Sequence, residues 1–207
     1  MLNHNTKIAL CGGARSGKDT VAEYLVLNHN FTRFAFGDEL KRLYHEIFGH
    51  RVNGKDREGY QWFGQAMRDR EPNIWVRKCF EAIELEEQRF NRKACQVEVE
   101  GKILFHLPAN PLRTVISDLR QPNEYAALRE QGYVIVRVDS SPEDRIRRAE
   151  ASGDVFRPED MQHDTESHYA SFIVDYEICN DGSVEQLYEQ TERVYAAITG
   201  GAARGIR

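Results

Sequence analysis

The amino-acid sequence predicts an α/β domain of three layers, with helices packed on a five-stranded, mainly parallel sheet. Two observations carry this expectation. Short apolar runs rich in β-branched or aromatic residues alternate with longer helical patterns along the whole chain. A glycine-rich turn, Gly12 to Lys18, joins the first apolar run to the first helical one.

The expected strands are Lys7 to Cys11, Thr32 to Phe36, Thr114 to Ser117, Tyr133 to Val138 and Tyr176 to Cys179. Helical patterns follow them: Gly17 to Leu27, Glu39 to Phe48, Asn123 to Gln131 closed by Gly132, Pro142 to Ala151, and Val184 to Ile198. Between the second and third strands lies a charged, helical excursion, His50 to Asn91, with helices expected over Gln61 to Arg70 and Ile74 to Arg89. An insert of this kind is a place to hold a second substrate. Gln96 to Leu107 alternates apolar and polar residues around Glu100 and Gly101, which predicts a small hairpin. The resulting plan is one domain over 1–199, with an insert at 38–92, a hairpin at 95–107, a lid at 140–162 and a tail at 200–207.

Composition narrows the function. The 207 residues include 28 Lys and Arg against 33 Asp and Glu, a net charge of -5, which argues against non-specific grip on a nucleic-acid polymer or an anionic membrane. Cys11, Cys79, Cys95 and Cys179 form no C-x-x-C pair, so they read as reduced thiols rather than a zinc site or disulfide framework. The apolar run near the N-terminus is too short for a signal segment or a membrane span, and a cytoplasmic, soluble protein is expected.

Gly12-Gly13-Ala14-Arg15-Ser16-Gly17-Lys18 fits G-x-x-x-x-G-K after a strand and before a helix, the pattern and context of the P-loop NTPase fold. Glycines let successive backbone N–H groups turn toward phosphate oxygens, the helix N-terminus adds partial positive charge, and Lys18 reaches the terminal phosphates of ATP. The alternative is a plain glycine-rich turn. The residue after Lys18, usually a Ser or Thr that ligates magnesium, is here Asp19 followed by Thr20. Successive helical residues point about 100° apart, so the Thr20 hydroxyl cannot take that place. Asp19, a hard carboxylate ligand, can hold Mg2+ directly or through water. Its negative charge near a triphosphate then needs metal or arginines to offset it.

The third strand ends in Ser117-Asp118. Asp118 is the expected second carboxylate near magnesium, or else a turn residue at a strand end. Leu119 and Arg120 follow in place of a second acid, which favours phosphoryl transfer to an anionic acceptor over hydrolysis. Arg145 and Arg148 lie three residues apart on one helical face, as suits a lid that neutralises a phosphoryl group in transfer. A solvated helix in which Glu143, Asp144 and Glu150 pair its arginines is the other reading.

Together these motifs resemble the deoxynucleoside monophosphate kinase-like family of P-loop kinases, among the adenylate kinase-like nucleoside and nucleotide kinases. The resemblance runs from roughly Lys7 to Leu187. It is carried by GGARSGKDT, FAFGDELKR at Phe34 to Arg42, MRDREPNIW at Met67 to Trp75, and ISDLRQPNEY at Ile116 to Tyr125. The lid arginines, HDTES at His163 to Ser167 and ICNDG at Ile178 to Gly182 complete it. The resemblance implies that Asp38, Lys41, Arg68, Trp75 and Arg120 approach an acceptor monophosphate, and that Asn180 lies in the loop around adenine. The hairpin has no counterpart in the family pattern and is expected to alter substrate access or to mediate a homodimer.

A monophosphate is already mostly ionised at neutral pH, its second pKa being about 6, so the acceptor needs no general base. Positioning and charge neutralisation by Lys18, Lys41, Arg68, Arg120, Arg145 and Arg148 suffice. For a hydroxyl acceptor Asp38 is the candidate base. Arg68 and Trp75 also read as a surface charge and a helix-packing aromatic. The histidines form no metal-binding group: His163 and His168 are five apart and do not share a helical face. The expected activity is Mg2+-dependent transfer of the γ-phosphoryl group of ATP to a nucleoside or deoxynucleoside monophosphate. A kinase for another phosphorylated small molecule, phosphomevalonate-like or a coenzyme A precursor, is the enzymatic alternative. A nucleotide-dependent switch or ATPase module is the alternative of another class.

Overall fold

The computed structural model describes residues 6–49, 56–94, 97–99, 102–105, 112–151 and 168–200. The lid beyond Ala151, the HDTES motif, the Glu100-Gly101 turn and the tail from 201 onward lie outside the described residues. The described chain forms two compact units, one built from the residues up to Arg33 together with those from Arg113 onward, the other from Phe34–Leu112.

The first unit holds a five-stranded parallel sheet. Its strands are β1 (Lys7–Cys11), β2 (Phe31–Phe34), β5 (Arg113–Leu119), β6 (Val134–Asp139) and β7 (Tyr176–Cys179), in the order β2-β5-β1-β6-β7. The central strands are near-continuous apolar runs because both faces are covered, as parallel sheets require. Ile8, Leu10, Val115, Val136, Val138 and Ile178 pack beneath Val21, Ala22 and Leu25 of α1 (Lys18–His29) and Leu187 of α7 (Val184–Thr199). Ala9, Ile116 and Ile135 alternate to the opposite face and are equally sealed from solvent, as are Leu128 of α5 (Pro122–Glu130) and Ala149 of α6 (Pro142–Ala151). This is the three-layer α/β arrangement expected of the P-loop NTPase fold.

The helix ends follow local chemistry. Asn30 ends α1 in the left-handed region, its N–H donating to the Leu25 carbonyl. Gln121 and Glu124 form a reciprocal capping box at the start of α5, with Pro122 at its first turn, and Ser183 and Gln186 do the same for α7.

The second unit contains α2 (Phe36–Phe48), α3 (Arg57–Arg70), α4 (Ile74–Ala94) and an antiparallel pair, β3 (Val97–Val99) with β4 (Lys102–Phe105), where the sequence predicts a hairpin. Leu40, Tyr44, Phe63 and Trp75 form its core, flanked by Leu43, Tyr60, Met67 and Ile74. Several boundaries shift from the sequence expectation, two of them for a clear local reason. The strand expected over Thr32 to Phe36 stops at Phe34, since Phe36, Leu40 and Tyr44 recur every four residues and bury one helical face from Phe36 onward. The start of α3 lies at Arg57 rather than Gln61, because the Asp56 carboxylate accepts the Gly59 N–H at 3.1 Å and caps the helix.

Truncating Ile116, which has no exposed surface, to alanine is expected to cost about 3 kcal/mol through lost burial and the cavity left behind. Truncating Ile173, 79% exposed, is expected to cost less than about 0.5 kcal/mol. Urea unfolding checks both: the midpoint falls for Ile116→Ala only, with the slope unchanged.

Candidate active site

In the first unit the sequence-predicted residues gather at the carboxyl edge of the parallel sheet, where α/β proteins place their ligands. The glycine-rich loop follows β1, Asp118 is the last but one residue of β5, Ser140 and Ser141 follow β6, and Asn180 follows β7. Register fixes their neighbourhood: Cys11 pairs with Leu119 on one side and Arg137 on the other, and Asp139 pairs with Cys179.

Gly12 adopts φ 140°, and a Cβ built there would stand 2.1 Å from the Val138 carbonyl oxygen. No other residue fits this position, for conformation and space alike. Beyond it, Arg15 at φ 61° and Gly17 at φ 105° keep the backbone in the left-handed region, and the Ser16 N–H donates to the Gly13 carbonyl at 3.2 Å. Lys18 is buried and folds back over the loop, its Nζ donating to the carbonyls of Gly12 and Gly13, both at 2.7 Å. A cation held this way, at the opening of α1, faces the same ground as the helix N-terminus.

Arg145 stands over the loop. Its Nη1 lies 2.4 Å from where a Cβ on Gly13 would be, and the Tyr169 hydroxyl lies 3.1 Å from the same point. Arg145 is only 9% exposed, and its Nε has no hydrogen-bond partner among the described residues. The Ser16 hydroxyl is likewise buried and unpartnered. Two unspent buried donors beside a lysine ammonium fit a polyanion, because an unsatisfied buried donor costs about 1–3 kcal/mol that an incoming phosphate oxygen would recover. The loop and its donors therefore fit a triphosphate.

Arg148 takes a different position from Arg145. Its guanidinium donates to the Asn180 carbonyl at 2.6 Å, the Ser140 hydroxyl at 2.9 Å and the Arg15 carbonyl at 3.3 Å. Asn180 is buried, its N–H donating to the Asp139 carbonyl at 2.7 Å and its side-chain amide to the Ser16 carbonyl at 2.8 Å. Asp181 accepts the Ser141 backbone N–H at 2.7 Å, which holds its carboxyl below the ordinary value. These bonds join the turns after β1, β6 and β7 into one scaffold. Burial pushes the Cys11 thiol up to about 11, against the pull of Arg137 and Lys18, so it is a neutral core group. Burial also raises the Asp139 carboxyl, with Arg137, Arg145 and Lys18 opposing and Glu177 adding to the rise.

Asp19 is exposed and its Oδ1 accepts from Arg33 Nη2 at 3.0 Å. Arg33 Nε donates to the buried Ser117 hydroxyl at 2.9 Å, next in sequence to Asp118. Among the described residues no three acidic, His or Cys side chains cluster as a metal centre. One or two carboxylates, Asp19 and Asp118, suit Mg2+, which takes most of its ligands from phosphates and water. Ala14 and Thr20 are half-buried members of the loop and first turn, and Arg15 is exposed.

The residues expected at an acceptor divide between the units. Arg120 follows β5 in the first, exposed, with its backbone N–H bonded to Glu124 at 2.9 Å. In the second, Asp38 and Lys41 are exposed on α2 and form an ion pair at 3.8 Å, and Arg68 is half-buried on α3. Trp75 is only 2% exposed, and its indole N–H donates to the Gly64 carbonyl at 3.1 Å within the helical core. That is the packing role weighed for it above. Sequence reasoning missed Arg33, Ser117 and Tyr169, since nothing local ties Arg33 to residues 14 and 84 positions away.

No protein-family model matches the chain, and no curated protein matches it. Solved structures do. TT1252 from Thermus thermophilus aligns over 96% of this chain and 100% of its own at 20% identity, with a TM-score of 0.55. A candidate kinase from Chloroflexus aurantiacus aligns over 98% and 100% at 13% identity, with a TM-score of 0.54. A sugar kinase from Janibacter aligns over 96% and 99% at 16% identity, with a TM-score of 0.52. At these identities the likeness is one of fold. No helix among the described residues is long and apolar enough to cross a membrane.

The two loop glycines separate fold from site. Gly12→Ala is expected to lose about 2 kcal/mol or more of stability, because its Cβ meets backbone at a positive φ. Gly13→Ala meets the side-chain ends of Arg145 and Tyr169 rather than backbone, so it is expected to keep the fold within about 1 kcal/mol. It should nevertheless weaken binding of ATP several-fold, as read by thermal melts and calorimetric titration.

Proposed function

We propose that this protein is an ATP-dependent kinase that transfers the γ-phosphoryl group to a nucleoside or deoxynucleoside monophosphate. The observation that carries the reading is the gathering of donors at the phosphate loop: the Lys18 ammonium across the Gly12 and Gly13 carbonyls, with the buried, unpartnered Arg145 Nε and Ser16 hydroxyl beside it. The fold it shares with two solved proteins named as kinases supports a phosphotransferase. The acceptor class rests on the resemblance of the sequence motifs and on the basic residue, Arg120, that stands where a water-activating acid would serve hydrolysis.

In this reading the loop N–H groups and Lys18 orient the triphosphate, and Ser16 donates to it. Arg145 neutralises charge on the phosphoryl group as it passes between oxygens. A magnesium ion held by Asp19 and Asp118 would supply further neutralisation. The acceptor oxygen is already ionised, so no side chain has to remove a proton from it. The resemblance of the sequence motifs assigns Asp38, Lys41 and Arg68 of the helical unit, and separately Arg120 of the first unit, to recognition of the acceptor. Arg148 keeps the three turns in register and fixes where the base of ATP lies beside Asn180. The helical insert, the β3–β4 hairpin and the lid are parts of this single kinase domain.

The test is ADP release from ATP against a panel of ribo- and deoxyribonucleoside monophosphates. Strong stimulation by at least one is expected, and stimulation by none refutes the acceptor class. Arg145 and Arg148 separate in the same assay. Arg145→Ala is expected to lower kcat about 100-fold or more, with only a several-fold rise in KM for ATP. Arg148→Ala is expected to raise KM for ATP more than it lowers kcat, with unchanged circular dichroism in both.

A further inference from the structure

We infer that Arg33 is the positioning residue that makes Asp19 usable in the phosphate loop, so that the two residues form one functional unit. The inference rests on the loop being a triphosphate site, and not on which acceptor is used.

The geometry is specific. Asp19 follows Lys18 in the first turn of α1, 84% exposed, so its carboxylate would face a bound polyanion with little protein between them. Left alone, it would repel the phosphates that Lys18 and the helix N-terminus attract. Arg33, at the end of β2, reaches it from the neighbouring strand edge. Its Nη2 holds Asp19 Oδ1 at 3.0 Å while its Nε is pinned to the buried Ser117 hydroxyl at 2.9 Å. The second bond matters, because an exposed ion pair with two mobile side chains is weakly ordered. Anchored on β5, the guanidinium is a fixed fork, and its planar geometry turns one carboxylate oxygen toward itself and leaves the other available. The pair is electrically neutral, as a serine or threonine would be, yet it retains a hard oxygen where the hydroxyl oxygen would stand. Lysine at 33 would keep the charge and its donors but not the rigid fork that sets Nε and Nη2 on two different partners, so it would hold Asp19 less firmly.

A double-mutant cycle tests the coupling with inorganic tripolyphosphate in EDTA, titrated calorimetrically into the full chain, so that neither metal nor acceptor enters. Arg33→Gln is expected to weaken tripolyphosphate about tenfold when Asp19 is present. In the Asp19→Asn background the same change is expected to cost less than about twofold, and Arg33→Lys should fall between wild type and Arg33→Gln. Replacing Arg33 also removes the donor to the buried Ser117 hydroxyl, so its melting-temperature shift is expected to be small and the same in both Asp19 backgrounds. An equal loss in both Asp19 backgrounds would show that Arg33 acts on the anion or the loop by itself and would overturn the inference. No loss in either background overturns it too, as does failure of the wild-type chain to bind tripolyphosphate. Coupling in the cycle with no stimulation by any nucleoside monophosphate would leave the Asp19 and Arg33 unit standing while discarding the acceptor class.

Discussion

At Gly12 the backbone passes so close to the Val138 carbonyl that a side chain has nowhere to go, and this contact between the ends of β1 and β6 sets the course of everything after it. With the chain held there at φ 140°, the loop turns back over its own carbonyls and delivers Lys18 to Gly12 and Gly13. The following helix then starts with its positive end directed at the same space. The bonds from Asn180 to Asp139 and Ser16, and from Arg148 to Arg15, Ser140 and Asn180, tie the β7 end to the same place. The turns after three strands thus share one scaffold, and a change in any of them is transmitted to the loop.

The charge distribution explains how a chain with a net charge of -5 can favour a polyanion. Net charge is an average, whereas binding depends on which cations are desolvated. Many of the exposed basic residues are spent on neighbours, as Arg42 is on Glu39 and Glu46, and Arg77 on Glu71 and Glu81. Such pairs contribute little to stability and largely cancel at a distance. Lys18 and Arg145 are buried instead, Lys18 against carbonyl dipoles and Arg145 with its Nε unpaired. A buried cation is costly unless an anion joins it, so a phosphate group at the loop would offset that cost.

Much of the sheet was legible in the sequence because parallel strands covered on both faces must be apolar throughout. The bounds of β1 and β7 coincide with the expected runs, Lys7–Cys11 and Tyr176–Cys179. The end of β5 was harder to read: the strand continues through Ser117 and Asp118 to Leu119, two polar residues that look like a turn until Ser117 is seen to accept from Arg33. The helical unit was legible by period but not at its ends, where Asp56 and Phe36 decide the matter through a cap and a buried face. Within the site, the loop announced itself through local spacing. The different environments of Arg145 and Arg148 did not, since two arginines on one helical face look alike until their partners on other strands are known.

The same distinction between local and distant signals bears on the variant loop residue. A motif records the residue that touches the ligand and omits the residue that makes it tolerable there. Serine or threonine after the loop lysine is self-sufficient, being neutral and short. A carboxylate at that position brings a charge that the local sequence cannot balance, so the compensation has to come from another strand. Arg33 supplies it from β2, anchored on β5, and neither strand belongs to the motif. A departure from a motif is therefore best judged together with the opposite charge nearest to it in the fold: unpaired, Asp19 would be a defect in a phosphate site, and paired with an anchored arginine it becomes a neutral unit that still presents an oxygen.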